Sequence, residues 1–203
     1  MRLTGDKLSA VRGGRTLFAD LAFTVNAGGA LVLTGPNGAG KTTLIRAIAG
    51  LMRPTAGRIV LEGGAPDLPR SEQCHYVGHL SAIKPALSIE ENARFWSGFL
   101  GGTRAALDAA LKTFGLDALR DIPAGYLSAG QKRRLGLARL LLAERPLWLL
   151  DEPTTSLDSA AQDILTGIVN RHLAGGGLAV AATHVALGFA NSRELRLGGP
   201  AAA

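Results

Sequence analysis

ALVLTGPNGAGKTT, residues 30–43, decides how the rest of the chain is read. A short apolar run feeds directly into a glycine-rich loop, after which Leu44, Ile45, Ile48 and Leu51 recur at helical spacing and Gly50 offers a stop. The order is strand, loop, helix. Gly35-Pro36-Asn37-Gly38-Ala39-Gly40-Lys41-Thr42 satisfies G-x-x-x-x-G-K-[ST] in the context that gives this pattern its meaning. Glycines let backbone N–H groups turn inward around phosphate oxygens, and the helix N-terminus adds partial positive charge. Lys41 is expected to reach the β- and γ-phosphates and Thr42 to offer a hydroxyl to Mg2+. The stretch Gly35 to Thr43 is thus the expected phosphate-binding segment.

A phosphate-loop ATPase also needs a carboxylate at the end of a neighbouring buried strand, and Asp151 after LWLL fits. Mg2+ prefers oxygen ligands and would be shared among Asp151 (through water), Thr42 and the nucleotide. Glu152 follows directly. Adjacent on an extended strand, it would point elsewhere than Asp151 and be free to act as general base toward a water in line with the γ-phosphate. LSAGQ (127–131) precedes a helix, so Ser128 reads first as a helix cap and second, with the N–H groups of Ala129 and Gly130, as an anion site.

PLWLLDEP (146–153) and LAVAATH (178–184) look like buried parallel strands, and helical patterns run through Leu135, Ala138, Leu142 and through Ile164, Leu165, Ile168, Val169. Alternating strand and helix predicts an α/β fold with a mostly parallel sheet. Residues 2–32 and GRIVLEGG (57–64) read as short antiparallel strands, a small β layer beside the main sheet. From Ser88 to Leu142 nearly everything is helix-like, opening on the capping-box pattern Ser88-Ile89-Glu90-Glu91, with a further helix from Thr103 to Phe114 stopped by Gly115. The expectation is one ATPase domain over residues 1–203, its core at about 1–80 and 143–203 and an inserted helical lobe at about 81–142.

The bulk properties narrow the function. Among 203 residues the formal charge is +6, but basic residues, including Lys132-Arg133-Arg134, read as scattered solvated faces without an interleaved aromatic stripe, which argues against nucleic acid. A single cysteine, Cys74, excludes an internal disulfide and fits a reducing compartment, and the start MRLTGDKLSA lacks a signal-peptide layout. No apolar run approaches the roughly 20 residues of a membrane helix. If the protein works at a membrane, another chain spans it. Disorder is expected only in the tail GGPAAA.

The ordered set GPNGAGKTT, LSAGQ, LLDEP, TSLD and a histidine after a strand resembles the nucleotide-binding subunit of ABC transporters over nearly the whole chain. The resemblance implies that two copies pair head to tail and clamp ATP between the loop of Lys41 in one and the signature Ser128, Gly130 and Gln131 in the other. It implies that Asp158 communicates across the dimer and that His184 contacts the γ-phosphate, holding it and positioning the water of Glu152. YVGH (76–79), Ile83-Lys84, EEN (90–92), LSAGQKRR and PLWLLDEPTTSLD are further similar to the ATP-binding subunit of the bacterial cytochrome c maturation system, often called a heme exporter. That implies integral membrane subunits as partners, a peripheral place on the cytoplasmic face of the inner membrane, and coupling of ATP hydrolysis to heme delivery or release of a heme chaperone. Other ABC transporters, or soluble ABC ATPases acting on ribosomes or DNA, are the alternatives.

Two positions depart from the family pattern. Where the family places glutamine, this chain has His79, a poorer Mg2+ ligand; it would act through water, on a partner surface, or as a buried hydrogen-bonded histidine. Where the family places an aromatic that stacks on adenine, this chain has AVRGGRT (10–16), leaving Arg12 or Phe18 to stack. Weak discrimination between ATP and GTP is expected in a nucleotide competition assay, and strict ATP preference would contradict it.

Overall fold

The computed structural model describes residues 1–198, so the tail beyond Gly198 lies outside the described residues. The chain forms β1 (Arg2–Arg12), β2 (Arg15–Asn26), β3 (Ala30–Thr34), α1 (Lys41–Ile48), β4 (Ala56–Glu62), β5 (Cys74–Val77), α2 (Ile89–Leu100), α3 (Arg104–Thr113), α4 (Ala129–Ala138), β6 (Leu147–Asp151), α5 (Ser159–Ala174), β7 (Leu178–Ala182) and β8 (Ser192–Arg196). These fall into two compact units: Met1–Tyr76, Arg145–Glu152 and the chain from Val169 onward in one, Val77–Glu144 and Pro153–Ile168 in the other.

The first unit is built on a five-stranded sheet in the order β5-β6-β7-β3-β8. β3 runs parallel to both β7 and β8, and β6 parallel to β7. Every residue of β6 and β7 is buried, which is why their sequences, apart from Asp151 at the end of β6, are continuous apolar runs rather than alternating ones. A three-stranded antiparallel sheet, β2-β1-β4, supplies Leu3, Leu8, Phe23 and Val25 to one hydrophobic core with Leu33 and Val180 of the parallel sheet and Leu44, Ile45 and Ile48 of α1. Phe18 is also buried in this core, so it is not available to stack on a base. An apolar ring gains more from burial than from an exposed stack.

Trp148 of β6 carries a second aromatic arrangement that periodicity does not reveal. His172 stacks on it at 4.0 Å between ring centroids with planes 8° apart, and His75 meets it edge-on at 6.3 Å. A side chain at Gly177 would run into the His172 ring, so the glycine is needed for space. His172 Nε2 lies 3.2 Å from the Leu178 carbonyl.

The second unit is helical, with α2, α3 and α4 packed on one another. Ser88 and Glu91 form the expected capping box, Thr103 caps α3, and Gly101 ends α2 with a left-handed conformation at φ +77°. Glu90 is paired with Arg94 at 2.6 Å, Arg104 at 2.7 Å and Arg120 at 3.3 Å, and Asp108 with Arg104 at 3.1 Å and Arg120 at 2.5 Å. The Arg104 guanidinium holds Glu90, and the Arg120 guanidinium Asp108, below the usual carboxylate range. Relative to the lobe expected at 81–142, the helical unit also takes the segment before α5 and its first turns. A Cβ on Gly130 would sit 2.9 Å from the Ser156 carbonyl, which shows how closely that segment lies on α4.

Burial pushes the His172 imidazole below its ordinary value of 6.5, so the folded chain holds it neutral where the unfolded chain would protonate it. Its stabilising contribution is therefore complete above about pH 6.5 and falls as the pH drops from there to the folded value. Urea unfolding between pH 7.5 and 5 should show this loss, and His172→Gln should flatten it, whatever that variant's absolute stability.

Candidate active site

The phosphate loop joins β3 to α1. Gly35, Gly38 and Gly40 have φ of +125°, +80° and +100°, values that other residues adopt only under strain. Gly35 also has no room for a side chain, since a Cβ would enter the Leu197 carbonyl, and one on Gly40 would press on Leu17 and Phe18 at 3.1 Å. Gly40 is the N-cap of α1 and no side chain caps the helix. The free N–H groups of its first turn and the positive end of its dipole are thereby left for an anion. Lys41 is only 8% exposed, and its Nζ donates to the carbonyls of Gly35 at 2.7 Å and Pro36 at 3.3 Å.

The C-terminal ends of the neighbouring strands bring the other groups to this loop. Asp151 ends β6, is 2% exposed, and accepts at Oδ1 from the Thr42 hydroxyl at 3.1 Å. This pair offers hard oxygen donors only, the set that Mg2+ prefers, so the residues present fit that ion. β7 ends at Ala182, and Thr183 Oγ1 accepts from Val185 N at 3.1 Å, turning the chain so that His184 faces the loop. His184 Nε2 lies 3.1 Å from Lys41 Nζ, 3.0 Å from Asn37 Oδ1 and 3.4 Å from Glu152 Oε1. One neutral nitrogen cannot serve all three. The lysine contact needs its lone pair, whereas the Asn37 and Glu152 contacts need its proton.

Glu152 corrects one expectation. It is not extended: the strand ends at Asp151, and Glu152 has φ +49°. Its N–H donates to the Ala182 carbonyl at 2.9 Å, so β7 fixes this turn. The left-handed backbone costs on the order of 1–3 kcal/mol for such a residue, and the Glu152 carboxylate reaches His184 Nε2 at 3.4 Å. Strain of this kind is retained where a side chain must be aimed.

Ser128, Gly130, Gln131, Asp158 and His79 all belong to the second unit. Ser128 Oγ accepts from Gln131 N at 3.1 Å and Gln131 Oε1 accepts from Ser128 N at 2.8 Å, a complete capping box at the start of α4. Asp158 Oδ1 accepts from Ala161 N at 2.8 Å at the start of α5. His79 is exposed, which removes the buried-histidine reading; the buried histidine of that stretch is His75. Arg133 was expected on a solvated face but is 4% exposed. Helical spacing to the apolar Leu137 was the sequence signal that could have found it.

With this geometry, comparison with known proteins is direct. Residues 18–155 match the model of the ABC transporter family. The chain belongs to that family. ATP is therefore its nucleotide and ATP hydrolysis its reaction. Its relatives include the cytochrome c biogenesis ATP-binding export protein CcmA of Bradyrhizobium diazoefficiens, 56% identical over 201 residues and covering 99% of this chain and 100% of that protein. The protein of the same name from Mesorhizobium japonicum is 49% identical over 199 residues, covering 98% of each. Among solved structures, an ATP-binding subunit of an ABC transporter superposes with a TM-score of 0.84 at 28% identity, covering 98% of this chain and 89% of that one. The resemblance drawn from the motifs thus extends over the full chain, and the α/β fold is that of an ABC ATPase. Among the described residues no helix is long and apolar enough to cross a membrane.

The Asp158 carboxylate caps the first turn of α5 through Ala161 N–H. Asp158→Ala should lower the unfolding free energy of the isolated chain by about 1 kcal/mol, and Asp158→Asn should restore most of it. Urea denaturation of the two variants checks both values.

Proposed function

We propose that this chain is the ATP-hydrolysing subunit of a bacterial ABC transporter complex for cytochrome c biogenesis, coupling ATP binding and hydrolysis to heme export or to release of a heme-carrying chaperone. The observation that carries the chemistry is the convergence of Lys41, Asn37, Glu152 and His184 within 3.4 Å contacts at the ends of three parallel strands. The biological setting rests on full-length relatives at 49–56% identity that are named as cytochrome c biogenesis export proteins.

In this reading the α1 N-terminus and the loop N–H groups receive the phosphate chain. Lys41 exchanges the neutral carbonyls of Gly35 and Pro36 for charged phosphate oxygens, which are the stronger acceptors. Its departure from His184 leaves Nε2 free to carry a proton and donate to the γ-phosphate. Thr42 and Asp151 would hold Mg2+, which supplies neutralisation of phosphate charge when bound. Glu152 takes a proton from the attacking water, and His184 orients that water. Ser128, Gly130 and Gln131 of a second copy close over the γ-phosphate from the opposite side, with Asp158 at the same junction. Loss of the γ-phosphate removes the differential affinity for the closed dimer, which converts hydrolysis into motion. Separate integral membrane subunits span the bilayer, and this chain sits peripherally on the cytoplasmic face of the inner membrane.

Glu152→Gln preserves shape but accepts no proton, so it should retain ATP, accumulate as a dimer and lose turnover by about 100-fold or more. Size exclusion with ATP and a phosphate-release assay read the two effects, and near-normal turnover would refute the general-base role. For the setting, cells whose only copy carries Lys41→Ala should fail to accumulate c-type cytochromes with attached heme; normal accumulation would refute it.

A further inference from the structure

Two buried guanidinium groups lie outside the hydrolytic scheme, Arg133 and Arg139, and Arg139 is accounted for by its place over the Trp96 ring at 4.3 Å. Arg133 lies on α4, five residues after Ser128, and is 4% exposed. Its Nη1 donates to the Gly78 carbonyl at 2.8 Å and its Nε to the Pro153 carbonyl at 3.1 Å. A guanidinium stays charged at any ordinary pH, and enclosing it is costly where an apolar side chain of similar volume would pack as well. Packing alone does not account for it.

The two carbonyls it holds are informative. Gly78 directly follows β5 and precedes His79, and Pro153 directly follows Glu152. Both lie just past strand ends, Gly78 one residue after β5 and Pro153 two residues after β6. The guanidinium is a planar fork with fixed donor directions, so it holds both carbonyls only while their separation and orientation suit it. His79 is exposed and Leu80 is 81% exposed, so the loop that begins at Gly78 presents its side chains outward. A force on those side chains moves the Gly78 carbonyl, and with it the fork.

We infer that Arg133 is a positioning residue for hydrolysis: it ties the Gly78–His79 loop to the peptide after Glu152, so that the setting of Glu152 depends on the state of that loop. The inference rests on Glu152 acting as general base. It gives the His79 segment a physical route to the chemistry that does not require His79 to touch nucleotide or metal. The lysine at this position would keep the charge but, with a single nitrogen, could not hold the two carbonyls in the fork's geometry.

The test uses the full chain with Arg133→Lys, and Arg133→Met in its place should the lysine variant not fold. Two readouts are taken: ATP affinity against single-turnover hydrolysis, and backbone hydrogen exchange over residues 77–81 and 153–156. The expected result is ATP affinity within about threefold of the parent, hydrolysis slowed at least about tenfold, and exchange accelerated in both segments together. A residue that only stabilises the fold would lower affinity and rate in parallel, with protection lost throughout α4 as well, and that result overturns the inference. So does unchanged hydrolysis. Glu152→Gln run beside it separates the two failures: if that variant still turns over, the general-base reading has failed, and if it is dead while Arg133→Lys is fully active, only the role of Arg133 has.

Discussion

Lys41 buries its ammonium against the carbonyls of the loop that carries it, and the rest of the structure depends on that loop having room for such a contact. The geometry exists because Gly35, Gly38 and Gly40 take left-handed or wider positive φ values in a space where a Cβ at Gly35 would strike Leu197. The parallel sheet is the support: β3 leads into the loop, and β6 and β7, paired with each other, end at Asp151 and Ala182, after which Thr183 turns His184 toward the loop. Ligand sites of open parallel sheets lie at such strand ends because the loops there converge while the buried strands beneath stay fixed. The site is thus a consequence of topology as much as of motif. The carbonyls that Lys41 holds are neutral acceptors, weaker than the charged oxygens of a phosphate.

What could be read from the sequence was what local chemistry determines. The run ALVLT, the glycine spacing and Lys41 are contiguous, so strand, loop and helix follow without knowledge of the rest of the fold. Ser88-Glu91 and Ser128-Gln131 announce their helices because a capping box closes within four residues. Asp151 was legible as the polar end of an unbroken apolar run.

The features that escaped are those set by partners distant in the chain. The left-handed turn at Glu152 is imposed by the Ala182 carbonyl, 30 residues away, and alternation along a strand cannot anticipate it. Phe18 is drawn into the core beneath Gly40 rather than left at the surface, which the hairpin sequence alone does not tell. Arg133 sits in a run of three basic residues that reads as a solvated face; its spacing to Leu137 marks a buried helix face, but its partners, the Gly78 and Pro153 carbonyls, come from the fold alone. The stack of His172 on Trp148 joins the end of α5 to β6 and has no counterpart in any sequence pattern.

At the centre of the account is an exchange at one nitrogen: His184 Nε2 faces the Lys41 ammonium on one side and the acceptors Asn37 and Glu152 on the other. The tautomer of His184, read from its imidazole nitrogen-15 shifts in the Glu152→Gln chain with and without ATP and Mg2+, tests this directly. Nucleotide should draw Lys41 away and move the proton to Nε2, raising the fraction of that tautomer. An unchanged tautomer with ATP bound at saturation would contradict the account.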